Sequence, residues 1–232
     1  TVTYNGSAQT NTGASATVNG NAVTMTGNSL ATGIGSETFT LSGFGSGTNA
    51  SATPYADNLA LTAGAGTSAS NYTISYTNGG LTINKANAYV IIGSGQSSTY
   101  GSTPTINYSY YSNAAGSGGS AISTPSGLTG TATITNAPSS TSNATTYSLT
   151  YASGLSSTNY VFNPATSAVS YVVNPAILDL TISKTYNGDA SFSSANTYSI
   201  SGTRYNSDAV PTIFSGSAAT ASANAATYTS FA

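Results

Sequence analysis

The chain repeats itself, and the repeat sets what it can fold into. Thr3-Tyr4-Asn5-Gly6 returns as Thr185-Tyr186-Asn187-Gly188, placing the two tyrosines two periods of about 91 residues apart. A second echo lies between them. Asn71-Tyr72-Thr73-Ile74, running to Ile83-Asn84-Lys85-Ala86, is matched by Asn159-Tyr160-Val161-Phe162, running to Val173-Asn174-Pro175-Ala176. The closing motifs, at 83 and 173, stand one period of about 90 residues apart. Two unrelated motifs with one period divide the 232 residues near 86 and 176, into 1–86, 87–176 and 177–232. The third segment holds the opening motif without the closing one. Each full period is long enough to form a small core of its own.

Within each period the apolar residues alternate, which is the signature of strands with one face on a core and one in water. Tyr72, Ile74 and Tyr76 alternate, and after Asn78-Gly79-Gly80 so do Leu81 and Ile83. This pattern predicts a hairpin of 71–77 with 81–84, because Asn-Gly between alternating runs is a strong hairpin signal. The second period carries the same features more loosely. Tyr160 and Phe162 are followed by Val169, Tyr171 and Val173, with Pro164 breaking the first run because proline has no ladder donor. Tyr147, Leu149 and Tyr151 supply another strand, as do Tyr89 with Ile91 and Ile106 with Tyr108 and Tyr110. In the third segment Leu178, Leu180 and Ile182 lead into Tyr186, and Tyr198 and Ile200 follow. Segments 112–121 and 136–146, rich in Gly, Ser, Thr and Asn, read as loops.

Helix is disfavoured throughout. Thr and Val lose rotamer freedom in helices, Ser and Asn compete for backbone hydrogen bonds, and 25 Gly and 7 Pro break what remains. The expected fold is therefore all-β: small antiparallel sandwich-like modules of about 90 residues, stacked end to end. Sheet edges with almost no Lys or Glu lack the usual charged protection. Either neighbouring modules cover them or they pair with other copies.

Charge removes several classes of partner. The bases are Lys85, Lys184 and Arg204 and the acids Glu37, Asp57, Asp179, Asp189 and Asp208, a net charge of −2. Three bases spread over the chain give nucleic acid no electrostatic footprint. No run of about 18 apolar residues is present to span a membrane as a helix. With 17 Tyr and 6 Phe the chain does not resemble charged disordered sequence. The chain opens at Thr1, which reads as a processed product or a piece of something longer.

The chemistry of catalysis is thin. There is no His and no Cys, so the commonest base, the thiolate nucleophile and the best zinc ligands are missing. The five carboxylates are scattered, Asp179 and Asp189 being the nearest to a pair, and no acidic loop has calcium-ligand spacing. Gly93-Ser94-Gly95-Gln96-Ser97-Ser98 lacks the Gly-Lys-Ser/Thr ending of a phosphate loop. No catalytic residue, metal or cofactor is expected. Lys85 and Lys184 read as solvated lysines. Two other features invite function. Asn-x-Ser/Thr occurs at Asn5, Asn49, Asn71, Asn107 and Asn143, candidate glycosylation positions in a sequence where chance matches are common. Tyr108, Tyr110 and Tyr111 cluster beyond strict alternation and are the candidate platform for stacking on sugar rings.

At its repeated motifs the chain resembles the YDG and MBG (YGX-type) modules of large Gram-negative surface proteins, including filamentous-haemagglutinin-like adhesins exported by two-partner secretion. Tyr4-Asn5-Gly6 and Lys184-Thr185-Tyr186-Asn187-Gly188-Asp189 carry the YDG likeness. Ser98-Thr99-Tyr100-Gly101-Ser102 with Pro104 carries the YGX likeness, and the Asn-Tyr to Asn-x-Ala closings are common to both. The resemblance implies a bacterial cell-surface, extracellular location and a stalk role, holding a distal binding region away from the membrane. It also implies that Asn in Asn-x-Ser/Thr can carry glycan. Asn5 and Asn187 stand where the motif usually has Asp. The leading expectation is a non-catalytic stalk module whose partners are neighbouring modules of its own polypeptide or copies of itself. The alternatives are a filament or sheath subunit joined by strand pairing, and a module that binds host or matrix glycans.

Overall fold

Strands carry the fold in the computed structural model, which describes residues 1–192, 197–208, 218, 219, 222, 224, 226 and 227. Among the described residues the only helix is a three-residue 3-10 turn, Ala69–Asn71. The strands are short, and they pair in several small sheets, both antiparallel and mixed. No ladder among the described residues crosses residue 85 or residue 175. By overall proximity the chain divides differently, into two compact units that draw on separate stretches.

The first unit comprises Thr1–Ile92, Tyr108–Thr135 and Thr150–Ala168. Strand Gly80–Asn84 lies between Ser51–Ala56, antiparallel, and Val2–Thr3, parallel. A second sheet runs Ala60–Ala63, Thr38–Ser42, Ser29–Ala31, Met25–Thr26. Leu30, Phe39, Leu41, Leu81 and Ile83 are buried from these strands, every second residue within each, as the pleat requires. Strand Ala86–Ile92 pairs antiparallel with Tyr108–Tyr111 and parallel with Tyr160–Pro164, and buries Ala88, Val90 and Ile92.

The second unit comprises Gly93–Asn107, Asn136–Leu149 and Val169–Ala232. Here Val169–Asn174 lies between residues 146–149, antiparallel, and Gln96–Thr99, parallel. Leu149, Tyr171 and Val173 form its buried centre. Strand Asp179–Ser183 pairs antiparallel with Thr197–Ser201. The burial of the Leu180, Tyr198 and Ile200 side chains lies outside what is described.

Four expectations change. Several sheets are mixed rather than antiparallel, because Val2–Thr3, Ala86–Ile92 and Gln96–Thr99 each take a parallel partner. The hairpin of 71–77 with 81–84 does not form. Residues 72–79 carry no strand, and side chains fix them instead: Asn78 Oδ1 accepts from Leu59 N–H, the Tyr76 hydroxyl from Leu61 N–H, and an Asp57 oxygen from Gly79 N–H. Likewise 160–164 and 169–173 do not pair with each other; each finds a separate parallel partner. In strand 86–92 the core takes Ala88, Val90 and Ile92, leaving Tyr89 and Ile91 half-buried. That strand is apolar on both faces, so alternation could not fix which parity faces in. Residues 136–145 and most of 112–121 are loops, as read from composition, while Thr146 begins a strand.

Candidate functional site

The Tyr-Asn-Gly turn at Tyr4 and the Tyr-Gly turn at Tyr100 are contact points. In the first unit, Thr3 registers with Asn84, and the next residue, Tyr4, donates its N–H to Asn84 O at 2.8 Å. In the second unit, Thr99 registers with Asn174, and Tyr100 donates its N–H to Asn174 O, also at 2.8 Å. Beyond each tyrosine the chain reverses through a glycine at positive φ, Gly6 at 83° and Gly101 at 86°. The strand that leads into the tyrosine is thus latched to the closing asparagine of the same repeat. The tyrosine is left at the rim of the sheet.

Each ring then receives a turn from the following repeat. In the first unit the Tyr4 hydroxyl hydrogen-bonds Ser126 Oγ at 3.1 Å, and its ring meets Tyr160 edge-on, centroids 5.4 Å apart. Ser126 lies in the turn Pro125–Leu128, closed by Leu128 N–H on Pro125 O. In the second unit the Tyr100 hydroxyl donates to Asp208 Oδ2 at 2.7 Å and accepts from Asn206 Nδ2 at 3.0 Å, and its ring meets Tyr205 edge-on at 6.0 Å. Those partners lie in the turn Tyr205–Asp208, closed by Asp208 N–H on Tyr205 O. Edge-to-face pairs of this kind add about 0.5–1.5 kcal/mol beyond area burial.

Around Tyr4 the contact is backed by a buried amide network. Asn159, 3% exposed, donates through Nδ2 to Asn49 Oδ1 and Ser126 Oγ, and accepts through Oδ1 from Ala50 N–H. Its backbone carbonyl takes Ala86 N–H. Ser157 Oγ donates to Ser126 O and accepts from Asn159 N–H, while Lys85 Nζ donates to Ser157 O at 2.7 Å. Every polar atom of the Asn159 side chain is therefore partnered, the condition for burying it without penalty. Burial, with Tyr4 close by, pushes the Tyr160 phenol above its ordinary pKa.

A second buried polar centre serves the first repeat. Asp57, also buried, accepts from Asn11 Nδ2, from Gly45 N–H at 2.7 Å and from Gly79 N–H. These donors, Gly45 first, hold its carboxyl below the usual carboxylate range. Nothing in the sequence pattern flagged Asp57, and the repeated Asn-Tyr motif marked Asn159 without disclosing its burial, because the partners of both come from other loops.

All five sequon asparagines are exposed. Asn5 Oδ1 accepts Ser7 N–H and Asn49 Oδ1 accepts from Asn159, so each still presents its Nδ2. Asn71 is in the 3-10 turn, Asn107 beside Gln96, and Asn143 accepts the Tyr147 hydroxyl at its backbone carbonyl. Tyr108, Tyr110 and Tyr111 are half-buried. Tyr108 meets Tyr110 edge-on at 5.8 Å and 77°, and Tyr110 tilts against Phe162 at 5.7 Å. Burial, then its Tyr108 neighbour, pushes the Tyr110 phenol up to about 12. Tyr111 falls on the opposite face of the strand.

The second unit holds a shallow cleft of about 320 Å³ beside Tyr100, lined by Asn143, Pro175, Arg204, Tyr205 and Asp208 among others. Lys184 is not simply solvated: its Nζ donates to the carbonyls of Asp189 and Ser191 and lies 5.3 Å from the Phe192 ring centroid. Among the described residues no group of three His, Cys, Asp or Glu could hold a metal, and no helix is long and apolar enough to cross a membrane. Comparison with protein-family models, with curated proteins and with solved structures finds no match to this chain.

Proposed function

We propose that the chain is a non-catalytic spacer: segments 1–86, 87–176 and 177–232 are successive β modules of a bacterial cell-surface adhesin or extracellular fibre, and the tyrosine turns are the joints between them. One observation carries this reading. The same joint occurs twice, with a closing asparagine holding the tyrosine backbone, a second tyrosine against the ring, and a polar turn on the hydroxyl. Containment of every described ladder within one segment supports the module boundaries. A binding or catalytic domain has no need of identical joints at regular intervals, whereas a stalk does. The five exposed sequons are proposed attachment points for glycan, to be tested by glycopeptide mass spectrometry of native material.

The joint is testable by distance measurement. Spin labels at Ser102 and Thr203, on the two sides of the Tyr100 contact, should give one narrow distance distribution, broadened by Tyr100→Ala. A broad distribution in the unmodified chain would mean the joint does not hold, and the spacer reading would fall. Immunogold microscopy of intact source cells tests the location. Label confined to the cell interior would refute it.

A further inference from the structure

Among the described residues, two clefts of similar size differ in how far their polar groups are already engaged. One, in the first unit, is about 330 Å³ and lies along residues 151–157 and 160–162. Its cation, Lys85, donates to Ser157 O, and the Tyr151 hydroxyl accepts Leu155 N–H. The other is the cleft of about 320 Å³ beside Tyr100 in the second unit. Asn143, Thr203, Arg204 and Asp208 line it together. Among the described residues the Asn143 amide, the Thr203 hydroxyl and the Arg204 guanidinium have no hydrogen bond or ion pair. Asp208 accepts the Tyr100 hydroxyl at Oδ2, and its Oδ1 has no partner. Four polar side chains thus border one cleft with bonding capacity unused.

The combination of groups selects the ligand. A guanidinium only donates and a carboxylate only accepts, whereas the Asn143 amide and the Thr203 hydroxyl do both. Arg204 and Asp208 are the charged residues of the lining, so it has no net charge, and they make no ion pair with each other. An anion drawn to Arg204 would meet Asp208, and a cation drawn to Asp208 would meet Arg204. Hydroxyls suit both, accepting from one and donating to the other. The rest of the lining is apolar or aromatic, with Pro175, Leu178 at 41% exposed, and the Tyr100 and Tyr205 rings. Hydroxyls set around a ring with an apolar C–H face match such a surface. The volume is at the small end of the about 300–1,000 Å³ of ligand clefts, which limits the occupant to one or two rings.

We propose that this cleft binds a neutral saccharide of one or two sugar rings, with neighbouring hydroxyls bridging Arg204 and Asp208 and a further hydroxyl on the Asn143 amide. Arg204 and Asp208 belong to the turn that docks on Tyr100, while Asn143 and Pro175 belong to the second repeat. The sugar therefore touches both sides of the Tyr100 joint, and its binding holds the turn closed. The site does not depend on the spacer reading, because the same groups line the cleft whatever the chain is for. What it adds is a ligand, and with it a way to stiffen one joint.

Titration of the full chain, followed by amide NMR, tests this. The chain is produced without glycan, because Asn143 heads a sequon and its own glycan would fill the cleft. Methyl glucoside, methyl galactoside and methyl mannoside are the probes. At least one should bind with a Kd on the order of millimolar and shift the N–H signals of Asn143 and of 203–208. Arg204→Ala should weaken that binding about tenfold or more, the loss of a hydrogen bond to a charged group. Arg204 is exposed and unpartnered among the described residues, so circular dichroism and thermal unfolding of the variant should match the parent. Sugar at about ten times its Kd should slow exchange of the Asp208 N–H about tenfold, because the turn must release the ligand to open. No shift with any of the three at about 100 mM overturns the proposal. So does binding that Arg204→Ala leaves undiminished, or glucuronate binding more tightly than methyl glucoside, which would make the cleft an anion site. Unchanged Asp208 exchange at saturation refutes the placement across the joint. Binding lost in Tyr111→Ser and kept in Arg204→Ala would put the sugar at the Tyr108 cluster and refute the cleft. Spin-label distances recorded without sugar report on the spacer reading separately.

Discussion

Gly101→Ala should open the second joint while Gly6→Ala, its counterpart, leaves the first joint closed. Both glycines follow the joint tyrosine at φ of 86° and 83°. An alanine in either place takes on left-handed backbone strain of about 1–2 kcal/mol. The surroundings differ. A Cβ on Gly6 meets nothing within 4 Å, while one on Gly101 would lie 2.1 Å from Cγ of the Tyr205 ring. Carbon atoms pack at about 3.5–4.0 Å, so the Tyr205 ring must move by more than 1 Å and leave the Tyr100 edge. That forfeits the ring pair, about 0.5–1.5 kcal/mol, and loosens the Tyr100 hydrogen bonds to Asp208 and Asn206, about 1 kcal/mol net. The excess over Gly6→Ala is about 1.5–2.5 kcal/mol, equivalent to about tenfold to a hundredfold faster opening of the turn. Hydrogen exchange at Asp208 N–H, which closes that turn on Tyr205 O, reads this directly. The matching readout for Gly6→Ala is Leu128 N–H, which should keep its parent rate. Parent-like exchange at Asp208 in Gly101→Ala would refute the claim that Tyr205 holds the joint.

Three further outcomes follow from the buried groups. Asp57 has its pKa held below the ordinary 3.8, so its contribution to stability is complete above that value and disappears as pH falls through the lowered one. Asp57→Asn should lower the melting temperature at neutral pH and flatten its fall below about pH 4; parallel acid profiles for parent and variant would dismiss the role given to this carboxylate. Tyr171 is 1% exposed and its hydroxyl has no partner among the described residues, so Tyr171→Phe should be neutral or stabilise by up to about 1 kcal/mol in urea unfolding. A clear loss would point to a bond the geometry does not show. Leu149, 1% exposed at the centre of the second unit, should cost about 2–5 kcal/mol on truncation to Ala, measured the same way; a cost under about 1 kcal/mol would mean that this core is not packed.

What the sequence disclosed was element type, and what it hid was pairing. Alternation marked Leu81 and Ile83, Leu149 and Tyr151, Tyr171 and Val173 as strand residues, and all six are buried. It placed no strand against another. The pull toward a hairpin at Asn78-Gly79-Gly80 was local, and it lost to Asp57, Leu59 and Leu61, which engage 76–79 through side chains and backbone N–H groups from about 20 residues away. Parallel pairing onto the closing strand is invisible to short-range patterns, since it joins Thr3 to Asn84 and Thr99 to Asn174. The joints were half legible. The Tyr-Asn-Gly echo located the receiving turns, but the inserting turns Pro125–Leu128 and Tyr205–Asp208 share no residues, only a hydrogen-bonding pattern. The joint is repeated in geometry more than in sequence.

That difference explains the use of tyrosine and asparagine in a chain with 3% charged residues. A joint between two sheet rims needs apolar area, a directional bond and little side-chain entropy. Tyrosine meets all three with two torsions, a rigid ring and a terminal hydroxyl. It also tolerates variation opposite: Ser126 answers Tyr4, while Asn206 and Asp208 answer Tyr100, and no salt bridge has to be matched across the contact. Asparagine does the equivalent in the turns. At Asn5 and Asn187 the side-chain oxygen accepts the N–H two residues on, a bond that needs a carbonyl oxygen and no charge. Aspartate in the same place would add charge beside the joint without adding a bond. Neutral hydrogen bonds and ring edges are little affected by screening, unlike exposed ion pairs. Contacts built this way hold across a wide range of ionic strength, as the proposed spacer role requires.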